Sequence, residues 1–396
     1  MRPFTLSLIL LLSAGLLWQC QGPGKKTSSS ADVAKTGTLS LETIRQQLAD
    51  PNAHQSFVPE SLLGLPEDLS EFIPADNPMT AAKVELGRQL YFDKRLSRDG
   101  TVSCATCHDP AKGWTDNAPV STGIDGQKGG RSAPTVVNRL LGKTQFWDGR
   151  AATLEEQALG PIANPIEMGF SVEEAVELLN EIEGYRLQFE AVFGGPATAD
   201  GIAKAIAAFE RTVLTGANKN DYYERAVPWF DWDPEDEEDE EWIEIGLRIL
   251  EEEKQNRLSE SALRGRTLYF EKAACSTCHF GADLTDEQFH NIGVGVEGDA
   301  ADPGLAAISG LEEDWGKFKT PSLRNIALTA PYMHDGSQAT LMDTIRHYNQ
   351  GGVKNRNLSG NIFPLNLTEE EMQDLLAFLE EGLTGSIPDI QTPDLP

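Results

Sequence analysis

The chain has 396 residues, of which 62 are acidic and 33 basic, so its formal net charge at pH 7 is −29. This length accommodates two or three domains. The negative charge argues against binding to nucleic acid and against docking on anionic lipid head groups, whereas it would attract a basic redox partner. Solubility alone explains the acidic excess equally well.

The N-terminus has the pattern of an export signal. Residues 4–18 are mostly apolar and follow Arg2, and this run is short for a membrane span. It ends in Leu17-Trp18-Gln19-Cys20, which resembles a bacterial lipobox with Cys20 as the lipidated residue, although Gln19 departs from the usual small residue. A polar tether over residues 21–38 favours a lipoprotein over an ordinary signal peptide with an incidental cysteine.

The sequence predicts several helices along the chain. A short helix is predicted from Ser40 to Ala49, an amphipathic helix from Thr80, and a strong helix from Ile202 to Leu214. Capping boxes mark three further helix starts: Thr153…Glu156, Ser171…Glu174 and Thr368…Glu371. No convincing run of alternating strand residues occurs, so the predicted class is all-α with few or no strands.

One pentapeptide pattern occurs twice, in the form Cys-x-x-Cys-His. Its residues are Cys104, Cys107 and His108 in the first copy and Cys275, Cys278 and His279 in the second. This is the attachment signature of c-type haem, in which the thiols become thioethers and the imidazole ligates the iron. A redox dithiol or half of a zinc site needs no histidine directly after the second cysteine. The sequence therefore predicts two covalently bound haems.

The two copies belong to an internal duplication. Leu86-Gly87-Arg88-x-Leu90-Tyr91-Phe92 precedes the first, and the similar Leu263-Arg264-Gly265-Arg266-x-Leu268-Tyr269-Phe270 precedes the second. Between them, residues 233–241 are all acidic apart from Pro234, with tryptophans at 229, 232 and 242. Such a run will be solvated or disordered. The tryptophans either pin this insert to a domain surface or form a docking or electron-entry patch for a basic partner.

Over roughly residues 75–385, the chain resembles the bacterial di-haem cytochrome c peroxidases and their relative MauG, which oxidises residues of a partner protein. The resemblance rests on both haem motifs and on three further segments, in order: Phe146-Trp147-Asp148-Gly149-Arg150, Asn164-Pro165-Ile166-Glu167-Met168-Gly169 and Pro331-Tyr332-Met333-His334-Asp335-Gly336. The acidic insert is not part of this pattern.

With that resemblance, the predicted organisation has five parts. They are a lipoprotein-type signal peptide over residues 1–20, a linker and N-terminal extension over 21–74, a peroxidatic haem domain over 75–227, the acidic insert over 228–258 and an electron-transfer haem domain over 259–396.

The resemblance also implies roles for three residues of the first half. Glu167 matches the catalytic acid/base, which moves a proton from the near to the far oxygen of peroxide, and burial beside a haem should raise its pKa. Gln157 matches the amide that positions peroxide, and a turn must bring the two together because Pro161 and Pro165 separate them. Trp147 matches a tryptophan between the haems. The plainer alternatives are a helix-start carboxylate ahead of Ser171 and a core tryptophan.

Two positions depart from the peroxidase pattern. Many family members have a distal histidine sixteen residues after the first haem histidine, where this chain has Ile124, so the first haem should be five-coordinate without reductive activation. Fourteen residues after His334, the usual methionine ligand of the second haem is replaced by Tyr348, as in MauG. The prediction is His279/Tyr348 ligation. A core tyrosine, with His347 or water on the iron, is the alternative.

The function predicted from this pattern is reduction of hydrogen peroxide to water with electrons from a cytochrome c or cupredoxin. The alternatives are MauG-like oxidation of a partner protein through a high-valent di-haem state and plain electron transfer without turnover. The resemblance further allows one calcium ion, because Thr329 and Pro331 match positions that offer backbone carbonyls, but Ser132 stands where the family has an asparagine side chain. Export implies the periplasm, with membrane contact only through a lipid on Cys20.

Overall fold

Helices dominate the part of the chain that the computed structural model describes, which is residues 37–296 and 301–396. The predicted signal peptide, Cys20 and most of the tether lie outside it. Within it, one short antiparallel ladder pairs β1 (Phe289–His290) with β2 (Phe318–Lys319). The predicted all-α class with few strands is confirmed. No helix in the described residues has the length and apolar character needed to cross a membrane.

Thirteen α-helices occur in the described ranges. The first seven are α1 (Leu41–Leu48), α2 (Ala81–Phe92), α3 (Cys104–Cys107), α4 (Leu154–Ala163), α5 (Val172–Glu181), α6 (Glu183–Phe193) and α7 (Ala199–Glu210). The others are α8 (Lys219–Ala226), α9 (Glu240–Gln255), α10 (Glu260–Phe270), α11 (Ala306–Ser309), α12 (Leu341–Gln350) and α13 (Glu369–Ala377).

Side-chain caps begin the helices at the predicted places. Ser40 and Thr80 cap α1 and α2, and reciprocal capping boxes open α5 at Ser171 and α13 at Thr368. At α4 only half of the box forms, because Glu156 bonds the backbone of Ala152 at 2.8 Å and not that of the cap residue.

One helix is displaced from its prediction. The helix predicted from Ile202 to Leu214 is α7, which begins earlier because Thr198 caps it. It ends at Glu210 because the chain turns at Arg211, whose guanidinium pairs with Glu155 at 2.7 Å. The apolar residues beyond that turn remain buried without being helical.

Each half of the molecule is built on a glycine-mediated helix crossing. A Cβ on Gly87 of α2 would lie 1.8 Å from the carbonyl oxygen of Ala205 in α7, and one on Gly265 of α10 would lie 1.9 Å from that of Asp374 in α13. Backbones that approach this closely require glycine. The two crossings position the two haem motifs, since α2 leads to α3 and α10 leads to Cys275.

Candidate functional site

A single cavity of about 640 Å³ is lined by residues of both halves. It brings together nearly all of the predicted site residues: Cys107, His108, Trp147, Gln157, Glu167, Cys275, Cys278, His279 and Tyr348. Cys104 lies one helical turn before His108, within α3. Residues that are far apart in sequence therefore share one enclosed space.

The protonation states of the motif cysteines and of His279 suit covalent haem attachment. The cysteines are free thiols, and burial raises the pKa of Cys107 to about 11 and that of Cys275 to about 12. Thiols with such pKa values carry their protons at neutral pH. Burial lowers the pKa of His279 to about 4, so its imidazole is neutral.

The imidazole of His279 is also oriented. Its Nδ1 lies 3.1 Å from the carbonyl oxygen of Leu284. A carbonyl can only accept, so Nδ1 carries the proton and Nε2 is left free as a ligand. In the described residues, the one cluster of three His, Cys, Asp or Glu side chains able to share an ion is Cys278, Asp286 and His290, and it uses a cysteine of the haem motif.

Glu167 and Gln157 are brought together by the end of α4. Gln157 lies on the helix, and the chain then turns back through bonds from Met168 N to Pro161 O at 3.2 Å and from Gly169 N to Asn164 O at 2.8 Å. Asn164 Nδ2 donates to Glu167 Oε1 at 2.7 Å. Both predicted peroxide-handling side chains therefore line the same cavity.

The carboxyl of Glu167 is poised to hold a proton. Burial raises its pKa, while the charge of Arg150 and the hydrogen bond from Asn164 act in the opposite direction. The cap of the following helix is made by Ser171 and Glu174, so Glu167 takes no part in it.

Ile124 occupies the core beside this turn. It is fully buried, and its backbone N–H donates to the carbonyl of Glu167 at 2.9 Å. A Cβ on Gly169, which has a φ of +57°, would lie 2.3 Å from Ile124 Cδ1. The residue at the distal-histidine position therefore supports the backbone that carries Glu167.

Trp147 lies where the two halves meet. Its Nε1 donates to the carbonyl of Ser132 at 2.9 Å, and its own carbonyl accepts from the N–H of Lys319 in β2 at 2.8 Å. Ser132 N in turn donates to the carbonyl of His334 at 2.7 Å. The indole is thus bonded into a first-half loop, and the backbone beside it is bonded to the second half.

Tyr348 lies on α12, whose capping box joins Thr340 and Asp343. It lines the cavity with His279, and burial raises its pKa well above the usual range. The adjacent His347 lies against the carbonyl of Ile292, with Nε2 at 2.8 Å from it. Of the two nearby methionines, Met333 lines the cavity, whereas Met342 packs against the second-half core.

Sequence reasoning missed Glu210, at the end of α7. It lines the cavity, it is 5% exposed, and its Oε2 has no hydrogen-bond partner among the described residues. Burial raises its pKa to about 8, although Arg211 opposes the shift. The available signal was an acidic residue in a helix that is otherwise apolar nearly all round.

A buried ion network on the cavity wall was missed as well. Glu287 accepts from Arg139 at 2.8 Å and from Lys319 at 3.0 Å, and both cations line the cavity. Burial alone would raise the pKa of Glu287, but the two cations hold it at about 2. Arg139 and Glu287 are 148 positions apart in the sequence, so no local sequence pattern predicts this network.

Comparisons with known proteins agree with this architecture. The family description "Di-haem cytochrome c peroxidase" matches residues 81–227, and "Cytochrome c" matches residues 262–382. Both describe c-type haem proteins, and the two matches fall on the two halves of the duplication.

Whole-length relatives extend that match. The chain is 37% identical over 325 residues to the methylamine utilization protein MauG of Methylorubrum extorquens, covering 82% of this chain and 84% of that protein. It is 37% identical over 328 residues to the cytochrome c551 peroxidase of Nitrosomonas europaea, covering 82% and 86%. The crystal structure of a MauG-like protein associated with microbial copper homeostasis superposes with a TM-score of 0.67 at 36% identity, covering 79% and 92%. The chain belongs to the di-haem cytochrome c peroxidase and MauG family, and it carries two covalently bound c-type haems.

Proposed function

We propose that the protein reduces hydrogen peroxide to water with two electrons from a small redox protein, either a cytochrome c or a cupredoxin. The observation that carries this proposal is that Glu167 and Gln157 line one cavity with His108. A plain electron carrier would fill both axial positions of both haems and would need no acid and amide of this kind.

Each motif would hold one haem. Cys104 and Cys107 attach the first and His108 ligates it, whereas Cys275 and Cys278 attach the second and His279 ligates it. The haems supply the iron that binds peroxide and the centres that carry electrons. The cations of Arg139 and Lys319, which both donate to Glu287, suit the carboxylates that every haem bears.

Glu167 moves the proton. Its carboxylate takes the proton from the near oxygen of peroxide and returns it to the far oxygen, so that water is the leaving group. Two electrons and two further protons complete the conversion of one peroxide to two waters. The raised pKa of Glu167 suits this exchange, and Gln157 orients peroxide beside it.

Trp147 would relay electrons between the halves, since its hydrogen bonds hold it at their junction. The second haem, with His279 on one side, receives electrons from the donor.

A second candidate function rests on Tyr348. Its phenolic side chain lines the cavity beside His279, and phenolate is a hard anionic donor that favours ferric iron. A haem with this ligand has a low potential, which suits MauG-like oxidation of side chains in a partner protein better than electron entry.

The proposed location is the periplasm, with a lipid anchor on Cys20. Covalent haem attachment in bacteria takes place outside the cytoplasm, and the export pattern of the N-terminus agrees with it.

Calcium remains part of the proposal, since Ser132, Thr329 and Pro331 all line the cavity between the halves.

Steady-state peroxide turnover with a reduced cytochrome c and with a reduced cupredoxin separates the two functions. Rapid oxidation of either donor supports the peroxidase. Slow donor oxidation, accompanied by oxidised side chains in a bound protein, favours the MauG-like activity.

A further inference from the structure

The segment between the two halves contains a cluster of three tryptophans. Trp229 contacts Trp232 edge-to-face, with ring centroids 4.9 Å apart, and it contacts Trp242 at 4.8 Å. Gly246 of α9 makes room for them, because a Cβ there would lie 2.4 Å from Trp229. Together with Ala226 and Ile249, these rings hold α9 against α8. Part of the cluster is therefore structural.

Large apolar side chains of the segment stay exposed despite this packing, including Trp242, which belongs to the cluster. Trp242 is 48% exposed, Leu247 is 51% exposed and Phe230 is 43% exposed. A single exposed hydrophobic residue is ordinary, whereas this short segment exposes three large ones, which makes it the candidate for contact with a partner. Aromatic side chains are also the residues that most often anchor protein interfaces.

This surface is surrounded by negative charge. Between 231 and 244 the chain carries these acidic residues: Asp231, Asp233, Glu235, Asp236, Glu237, Glu238, Asp239, Glu240, Glu241 and Glu244. No lysine or arginine occurs between Arg225 and Arg248. In the described chain none of these carboxylates forms an ion pair, while Asp233 caps a short helical turn and Asp239 caps α9. The field around the exposed aromatic residues is therefore strongly negative.

We propose that the acidic apolar surface, formed by Phe230, Trp242 and Leu247 within residues 230–247, docks a small basic redox protein that serves as the electron donor. This inference rests on the proposed function. Opposite charge steers the encounter, and the exposed apolar side chains hold the complex. Nucleic acid and anionic membranes are repelled. A second copy of this chain carries the same net charge of −29 and is repelled as well.

The test uses the full-length, haem-loaded protein with a basic cytochrome c and with the same cytochrome after lysine acetylation. The charge variant is Asp236→Asn/Glu238→Gln/Glu244→Gln, and its matched control is Glu60→Gln/Glu177→Gln/Glu190→Gln, which removes three exposed carboxylates elsewhere. Calorimetric titration at low salt should show binding about tenfold weaker for the charge variant and unchanged for the control. The difference should disappear at high salt, where charges are screened, and acetylated cytochrome should bind weakly to every form.

Two variants separate the apolar contribution from the charge. Leu247→Gln keeps the charge and should weaken binding about threefold, whereas Leu247→Lys should weaken it further by repelling a basic partner. Leu247 is half exposed, so neither change should disturb folding. Both variants should bind alike, with the affinity of the unaltered protein, if the surface is not used.

Turnover with a small uncharged donor keeps this inference distinct from the proposed function. That turnover should be the same in all variants. If no form reduces peroxide but the cytochrome still binds in an insert-dependent manner, the peroxidase proposal fails and the docking surface stands. If turnover is normal and the charge variant binds like its control, or if the unaltered protein does not bind the basic cytochrome, the docking surface is overturned.

Discussion

The two halves of the molecule share a scaffold down to individual contacts. Tyr91 and Phe209 meet edge-to-face at 5.0 Å in the first half, and Tyr269 and Phe378 meet at 5.2 Å in the second. Each tyrosine donates to the carbonyl of its haem-motif histidine, at 3.2 Å and 2.5 Å respectively. The packing that holds a Cys-x-x-Cys-His motif in place has therefore been retained in both copies.

The next residue along each helix differs. Phe209 is followed by Glu210 and Phe378 by Leu379, and both following side chains line the cavity. One half thus presents a buried carboxyl where the other presents an alkyl group. The same division holds elsewhere, because Glu167 and Gln157 belong to the first half and Tyr348 to the second. The comparison teaches that the same helix crossing leads to a haem motif in both halves, whereas the residues that line the cavity differ between them.

Ligand binding to the oxidised protein tests the difference between the two halves most directly. Because Ile124 stands where a distal histidine would, the first haem should bind cyanide without prior reduction, while Tyr348 should keep the second closed. We expect one cyanide per protein in an optical titration. A ferric form that binds none until it receives one electron would contradict the first-half assignment, and two equivalents would contradict the second.

Replacing the first-half acid should have the next largest effect. Glu167→Gln removes the proton that the carboxyl exchanges but keeps its shape, so peroxide turnover should fall about 10²-fold or more. Haem content and the ferric spectrum should remain near those of the unaltered protein, which serves as the folding control. Unchanged turnover would remove Glu167 from the mechanism.

The second-half counterpart is Tyr348→Phe. Loss of a phenolate ligand should alter the near-infrared and paramagnetic resonance spectra of the second haem and raise its potential by about 0.1 V or more, within the roughly 0.8 V that axial ligands span. Met333→Leu is the matched control, because Met333 also lines the cavity. A methionine–iron charge-transfer band, or spectra that Tyr348→Phe leaves unmoved, would rule the assignment out.

The shared scaffold can be tested with its glycines. Gly87→Ala and Gly265→Ala each place a methyl group against a backbone carbonyl, so each should destabilise the protein by about 1–3 kcal/mol despite the better helix propensity of alanine. Gly195→Ala, where nothing lies within 4 Å of the added Cβ, is the control and should be near neutral. Thermal unfolding measures all three. A loss in only one half would show that the two crossings are not equivalent.

Local signals in the sequence predicted much of this architecture. The capping residues Thr80, Ser171 and Thr368 start their helices as expected, and the prolines after Gln157 foretold the turn that brings Glu167 back. These features depend on neighbours within a few residues. The end of α7, in contrast, depends on the distant residue Glu155. The network of Arg139, Glu287 and Lys319 also depends on distant residues, because it joins the two halves. Glu210 was missed for the same reason, since its burial depends on how α7 packs.

The smallest expected effect is the contribution of Glu210 to the pH dependence of stability. Its pKa is about 8 in the folded protein and near the ordinary glutamate value in the unfolded chain. Between roughly pH 5 and pH 8 the folded state therefore holds the proton more tightly than the unfolded state, and stability falls as pH rises, by up to about 1.4 kcal/mol per pH unit.

Glu210→Gln cannot release that proton, and Glu210→Leu copies the second half at Leu379. Both variants should remove the contribution of Glu210 to the pH dependence of stability. Each should therefore gain stability relative to the unaltered protein as pH rises from 5 to 8. Denaturant unfolding at pH 5, 6.5 and 8 measures the slope, and Glu190→Gln on the exposed side of α6 is the control that should leave it unchanged. Parallel curves for the unaltered protein and both variants would show that Glu210 is ionised in the fold. The contrast between a protonated acid in one half and an alkyl group in the other would then be lost.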